Sequence, residues 1–366
     1  MEVRLLRERP VNVLTFRAAA LAAVLLASCA PKDSPREASP SGGTTSVDLT
    51  GAGATFPYPL YSRWFSEYAV KTGVKINYQS IGSGGGIRQL REGIVDFGAS
   101  EAPLTDAELA AIPRGKVLQI PAVVGGVVLV YNLGGAAPEL KFTADVLADI
   151  FLGRITRWND PRIATLNAGI TLPAQDILVV YRADGSGTTY VFTDWLTRVS
   201  ADWARGPGHG KDVRWPVGIG AKGNEGVAGQ VKTTPWTIGF VELAYATQNR
   251  LPSAALRNRA GFFVAPTAGA LAAAAEGVEK RLPGLDDFRV SLVDTPVQTA
   301  YPLASFSWLL FFAEQADEAK GRKLLDFLRW AVRTGQASAT SLDYAPLPVP
   351  LAEGILAALD RATLPR

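Results

Sequence analysis

From residue 47 onward, short apolar runs alternate with stretches whose apolar residues recur at helical spacing. Val47-Asp48-Leu49-Thr50 reads as a strand, and Gly51-Ala52-Gly53-Ala54 as the turn that ends it. Pro59 to Lys71 follows a helical pattern with proline near its start. Val74 to Tyr78 alternates as a strand does, a glycine turn follows, and Ile87 to Glu92 reads as a short helix. Val95 to Ala99 is the next strand. A second set starts with the buried-strand pattern Val127–Tyr131 and the helical pattern Thr143–Phe151. It continues with a strand at Ile177–Tyr181 and a helix at Thr188–Arg198. Phe306 to Phe312 is strongly apolar, Leu324 to Thr334 is helical, and the alanine-rich stretch 268–275 reads as a helix. Trp158 and Trp195 fall in apolar helical patterns and are expected in the core. Strand and helix in alternation predict an α/β fold.

The first 46 residues break this pattern. Arg4, Arg7, Arg9 and Arg17 precede the apolar run Ala18–Ala27, which is too short to span a bilayer as a mature helix. Residues 1–28 therefore read as a secretory signal peptide. Its end, Leu26-Ala27-Ser28-Cys29, resembles the lipobox of bacterial lipoproteins, in which the cysteine is acylated and becomes the first residue. Residues 29–46 are rich in Pro, Ser and Gly and read as a disordered tether. The expected protein is exported and held to the membrane by lipid alone, facing the periplasm or the cell surface.

Composition narrows the chemistry. The 366 residues suit two domains, with 48% hydrophobic and 19% charged residues. Residues 1–28 carry four arginines against two glutamates, so their removal takes the formal charge from +3 to about +1. That leaves no bulk charge for nucleic acid, and any anion site must be local. The chain holds one cysteine and one histidine, so an intrachain disulfide is impossible and a metal site built on Cys and His is not expected.

Three turns share one layout: Thr55-Phe56, Ser83-Gly84-Gly85-Gly86 and Ser186-Gly187-Thr188. Each follows an extended segment and leads into a helix, whose unpaired N–H groups and positive dipole end favour anions. A single Ser or Thr at a helix start is usually only an N-cap. Three in one chain, with Arg182 at the end of the strand before Ser186, point to one shared oxyanion. Asp184 is placed to pair with Arg182 and orient it. Glu101 also follows a strand. A carboxylate beside an anion suits phosphate, which still carries a proton at neutral pH, and repels sulfate, which has none to give.

Together these segments resemble the phosphate-binding proteins of ABC-type phosphate importers (PstS-like). The matching stretches are Gly51–Pro57, Ile81–Gly86, Asp96–Pro103, Arg182–Thr188, Gly218–Gly226 and Leu342–Pro348, in the family's order. The resemblance implies phosphate contacts at Thr55, Phe56 (through its backbone amide), Ser83, Arg182, Ser186, Gly187 and Thr188. It puts Glu101 where the family has a proton-accepting aspartate, one methylene shorter, and Gly84 where a second hydroxyl is often found. It implies a two-lobed periplasmic-binding-protein fold of type II, with the ligand in the cleft. With crossovers near Val123–Val127 and Tyr301–Ser305, one lobe comprises 47–124 plus 301–366 and the other 125–300. It further implies a monomer without catalytic residues, cofactor or metal, which delivers its ligand to permease subunits of an ABC importer.

Other readings fit less well. Gly185-Ser186-Gly187 is not a nucleophile elbow, and His209 in a Gly/Pro loop is the one imidazole available as a base. A secreted phosphatase would need a nucleophile or metal-activated water, and neither is evident. Gly218-Ile-Gly-Ala-Lys-Gly223 matches a dinucleotide fingerprint after a poor strand and reads better as a structural loop. No Gly-Lys-Ser/Thr follows Gly84–Gly86, so a P-loop fails. Sulfate or molybdate is the runner-up ligand.

Overall fold

The computed structural model describes residues 48–135, 137–282 and 287–362. The signal segment 1–28, Cys29 and the tether 29–46 lie outside the described residues. The strands are β1 (Leu49–Gly53), β2 (Ile76–Ser80), β3 (Phe97–Ser100), β4 (Val117–Asn132), β5 (Lys141–Phe142), β6 (Leu178–Arg182), β7 (Ile219–Ala221), β8 (Thr237–Glu242), β9 (Ala255–Arg257), β10 (Phe263–Val264) and β11 (Ala304–Phe312). Eight of them form one sheet in the order β2-β1-β3-β11-β4-β8-β6-β7, and β10-β9-β5 form a smaller one.

Two parallel sets lie within the large sheet. β1 runs parallel to β2 and β3, and β6 runs parallel to β7 and β8. Between them, β11 is antiparallel to β3 and β4, and β4 is antiparallel to β8. The 16-residue strand β4 pairs with β11 as far as Gly126 and with β8 from Val127 onward. One strand thus carries the chain from one parallel set to the other. The run Val127–Tyr131 is apolar without alternation because it is buried throughout. A bulge interrupts the β4–β11 ladder at Ser307/Trp308, opposite Pro121 and Ala122. Pro121 has no N–H to give, so the ladder must skip there.

The helices form for the reasons their sequences supply. Tyr58–Thr72 has proline in its first turn, buries Leu60, Tyr61, Trp64, Phe65 and Tyr68, and stops at Gly73 in a left-handed conformation. Glu318–Arg333 is capped by Asp317 and buries Leu324, Leu325, Phe327, Leu328, Ala331 and Val332 along one stripe. Phe65 packs at tilted angles among Tyr78, Phe97 and Phe327, which locks both helices to the β1–β3 side of the sheet. The alanine-rich stretch is the helix Ala268–Ala275, as its composition predicts.

Three expectations are corrected. Gly51–Gly53 belong to β1 rather than to a turn, because glycine there serves close packing. A Cβ at Gly51 would stand 2.3 Å from the Phe97 ring, and one at Gly53 2.2 Å from the Ala99 carbonyl. Ser83–Gly86 form the first turn of the helix Ser83–Glu92, so that helix starts four residues before Ile87. Trp158 is buried as expected but in a turn, where its indole N–H donates to the Trp236 carbonyl at 3.1 Å.

Candidate functional site

The three singled-out turns meet at the carboxyl ends of parallel strands. β1 leads through Thr55-Phe56 into helix Tyr58–Thr72, β2 leads into Ser83–Glu92, and β6 leads through Asp184–Ser186 into Gly187–Val199. Crevices at the carboxyl ends of strands in open α/β sheets are where ligands bind. The approach is close: Gly84 N–H donates to the Gly185 carbonyl at 2.9 Å. A side chain at Gly84 would press on Gly185 Cα at 3.2 Å, which accounts for glycine at the position where a hydroxyl was anticipated. Gly82 adopts φ +86° with its α-carbon against the Asp184 carboxylate, and an added Cβ would lie 2.4 Å from Asp184 Oδ2.

Arg182, at the end of β6, is almost completely buried. Its Nε and Nη2 donate to the two oxygens of Asp184 at 2.8 and 2.5 Å, and its Nη1 donates to Thr188 Oγ1 at 3.1 Å. The bidentate fork fixes the guanidinium plane. Burial pushes the Asp184 carboxyl up, but the Arg182 hydrogen bonds and charge, with the Gly223 N–H at 3.0 Å, hold it below the usual aspartate range. Asp184 and Arg182 are thus paired through both carboxylate oxygens. Ser186 caps its helix by accepting from Thr189 N–H at 3.0 Å.

Glu101 stands opposite, fully enclosed after β3. Ser83 Oγ donates to its Oε2 at 3.2 Å and Ser307 Oγ to its Oε1 at 3.0 Å. Desolvation raises its pKa to about 7, against the opposing pull of the two serine hydroxyls and the Arg182 charge. Ser83 Oγ also accepts the Gly187 N–H at 3.0 Å, so one hydroxyl joins the second helix start to the third. The longer acid fits because Gly187 lacks a side chain: a Cβ there would lie 2.1 Å from Glu101 Oε2.

The structure thus brings Ser83, Glu101, Arg182, Asp184, Gly187 and Thr188 into one buried polar cluster. Thr55 joins it through Asn224, whose amide donates to Thr55 Oγ1 at 2.7 Å and to Thr188 Oγ1 at 3.2 Å. The Thr55-Phe56 peptides are held from behind, with Tyr245 OH on the Thr55 carbonyl at 2.7 Å and Tyr344 OH on that of Phe56 at 2.6 Å.

Four of these residues escape a reading of the sequence. Asn224 lies in the Gly218–Gly226 stretch taken as a structural loop, which is instead β7 followed by the helix Gly223–Thr233. Ser307 is a single hydroxyl in an apolar strand, and that isolation was its available signal. Tyr344 lies in the matched stretch Leu342–Pro348 without being singled out there, and Tyr245 carries no signal. His209 packs edge-on against Tyr190, with ring centroids 5.7 Å apart. Among the described residues no group of three or more His, Cys, Asp or Glu is placed to hold a metal ion.

The chain matches the PBP superfamily domain over residues 38–334. It is 47% identical over 307 residues to the phosphate-binding protein PstS of Pasteurella multocida, covering 83% of this chain and 88% of that one. It is 37% identical over 311 residues to PstS of Methanocaldococcus jannaschii, covering 80% of each. A solved structure of a high-affinity periplasmic phosphate-binding protein (PfluDING) bound with phosphate superposes with a TM-score of 0.67 at 21% identity, over 85% of this chain and 93% of that one. The phosphate-binding protein of Stenotrophomonas maltophilia gives a TM-score of 0.64 at 21% identity, with the same two coverages. At such identities the superpositions speak to fold, and that fold is the two-lobed periplasmic-binding-protein type anticipated from the sequence. With nearly half its residues shared with PstS over most of its length, the chain belongs to the PstS family of the PBP superfamily.

Proposed function

We propose that this protein captures inorganic phosphate in the cluster of Thr55, Phe56, Ser83, Glu101, Arg182, Ser186, Gly187 and Thr188, and hands it to an ABC importer. The observation that carries this reading is the meeting of three helix N-termini, one buried arginine and one buried carboxyl group in a single place. Helix starts and Arg182 attract an oxyanion, and Glu101 accepts the proton that phosphate offers and that sulfate and molybdate do not. In the closed arrangement the donors satisfy one another: Gly187 N–H on Ser83, Asn224 on Thr55, Arg182 on Thr188. Phosphate oxygens take over these partners when the ligand enters. The relatives' names support phosphate over sulfate or molybdate. Ser186 serves as an N-cap, away from any imidazole partner, which favours binding over hydrolysis.

The ligand bridges two lobes in this account, 47–124 plus 301–366 and 125–300. Thr55, Ser83 and Glu101 belong to the first, and Arg182 to Thr188 to the second. The switch of β4 from β11 to β8 at Gly126/Val127 supports a hinge there. Closure then depends on ligand because each lobe supplies part of the shell. The protein acts as a monomer on its permease, anchored through acylated Cys29 and lifted from the membrane by residues 30–46. Cys29→Ser is expected to move the exported protein from the membrane to the soluble fraction; retention on the membrane would refute the anchor.

Glu101→Gln tests the selectivity. The amide cannot accept the ligand's proton as a carboxylate does, and it removes the repulsion of a dianion, which amounts to several kcal/mol. Calorimetric titration should show the phosphate-to-sulfate affinity ratio falling at least about tenfold, mainly through tighter sulfate binding. A ratio left unchanged would remove Glu101 from the ligand shell. The same variant has a stability signature without ligand. Glu101 binds its proton more tightly folded than unfolded, so its contribution is present below the ordinary value of 4.5 and lost as pH rises to about 7. That loss is on the order of 3 kcal/mol and should be absent in Glu101→Gln.

A further inference from the structure

Glu242 closes β8 and starts the helix Leu243–Asn249, where its Oε2 accepts the Ala244 N–H at 2.8 Å. It is fully buried, as are Tyr344 and Phe56 beside it. Tyr344 OH lies 2.6 Å from the Phe56 carbonyl and 3.0 Å from Glu242 Oε2. A phenol has one hydrogen. The carbonyl of Phe56 has none, so a 2.6 Å approach between the two oxygens requires the phenol hydrogen to lie between them. The contact from Tyr344 to Glu242 can then be a hydrogen bond only if the carboxyl group supplies the proton. The other carboxyl oxygen, Oε1, has no partner among the described residues. An ionised carboxylate left so would carry a large desolvation penalty.

We propose that Glu242 is a positioning residue held as the neutral acid, whose proton completes a relay from Glu242 through Tyr344 to the Phe56 carbonyl; this fixes the Phe56–Pro57 peptide and, through the Phe56 backbone, the N–H that Phe56 offers the ligand. The charged surroundings agree. Burial is the main influence favouring the neutral form, and Asp343 and Glu101 add to it, while the Ala244 N–H opposes it. From the Leu243–Asn249 helix, Tyr245 faces the same space; burial is the main influence on its phenol, followed by Glu225, Glu242 and Arg182. The two buried acids thus have separate duties: Glu101 touches the ligand, and Glu242 braces the backbone of Phe56, whose N–H does. The relay rests on the phosphate reading only for what that N–H is aimed at.

The test has a part independent of ligand. Infrared difference spectroscopy at mildly alkaline pH should show the carbonyl stretch of a protonated carboxylic acid in the wild-type protein. The band should vanish in Glu242→Gln and persist in Glu101→Gln. Titration with inorganic phosphate supplies the second part. Glu242→Gln, which keeps a donor toward Tyr344 and gives up only the Ala244 N–H contact at the helix start, should bind within about threefold of wild type. Glu242→Ala and Tyr344→Phe should each weaken binding roughly tenfold by leaving a buried polar group unpaired. A wild-type protein without the band, or a band that survives in Glu242→Gln, would overturn the neutral acid. Glu242→Gln binding as weakly as Glu242→Ala would overturn the relay. Failure of the wild-type protein to bind phosphate at all would strike the proposed function and leave the spectroscopic test standing.

Discussion

Arg182→Ala is expected to lower phosphate affinity by about 2–5 kcal/mol, from roughly thirtyfold to several thousandfold. Arg182 supplies the one buried cation of the cluster, and the substitution leaves the anion facing Glu101 without a countercharge. Asp184 also loses both arms of its fork and keeps the Gly223 N–H. Its carboxyl should then titrate nearer the ordinary aspartate range. In the intact protein the pair stabilises the fold above that range, and the stabilisation is lost as pH falls through the lowered value. The variant should lack this acid-side component. Titration calorimetry gives the affinity and urea unfolding at several pH values gives the rest. Affinity equal to wild type would show that the anion sits elsewhere.

Gly187→Ala should separate binding from stability. Gly187 begins its helix with an ordinary backbone conformation, so alanine strains nothing within the loop and favours the helix slightly. In this structure, however, the new methyl would stand 2.1 Å from Glu101 Oε2 and 2.6 Å from Ser83 Oγ. Both groups belong to the opposing lobe in the proposed division. Overpacking of this kind costs about 1–3 kcal/mol, or roughly five- to 150-fold in affinity. Because the proposed lobes part when ligand is absent and relieve this clash, the melting temperature without ligand should stay near wild type or rise. Wild-type phosphate affinity in this variant would mean that Glu101 and Gly187 do not meet when the ligand is bound.

Much of this site could be read from the chain because its parts are local. A strand, a turn and a helix start are neighbours in sequence, so Thr55-Phe56, Ser83–Gly86 and Arg182–Thr188 announce themselves by residue type and spacing. The Arg182–Asp184 fork spans two residues and is equally visible. Asn224 is not, because its partners Thr55 and Thr188 lie 169 and 36 residues away and meet it only after the sheet is assembled. Ser307 meets Glu101 across 206 residues, at a bulge that Pro121 forces from the neighbouring strand. The boundaries went astray where glycine had two uses. Gly51 and Gly53 look like turn residues and are strand residues under packing pressure, while Gly84–Gly86 look like a loop and are helical.

The most direct test of the whole account is titration of the purified soluble part, residues 47–366, with phosphate and with sulfate under identical conditions. Tight phosphate binding with sulfate weaker by several kcal/mol is the predicted result, because in the proposed site Glu101 accepts a proton that sulfate lacks. Equal affinities for the two anions would contradict it.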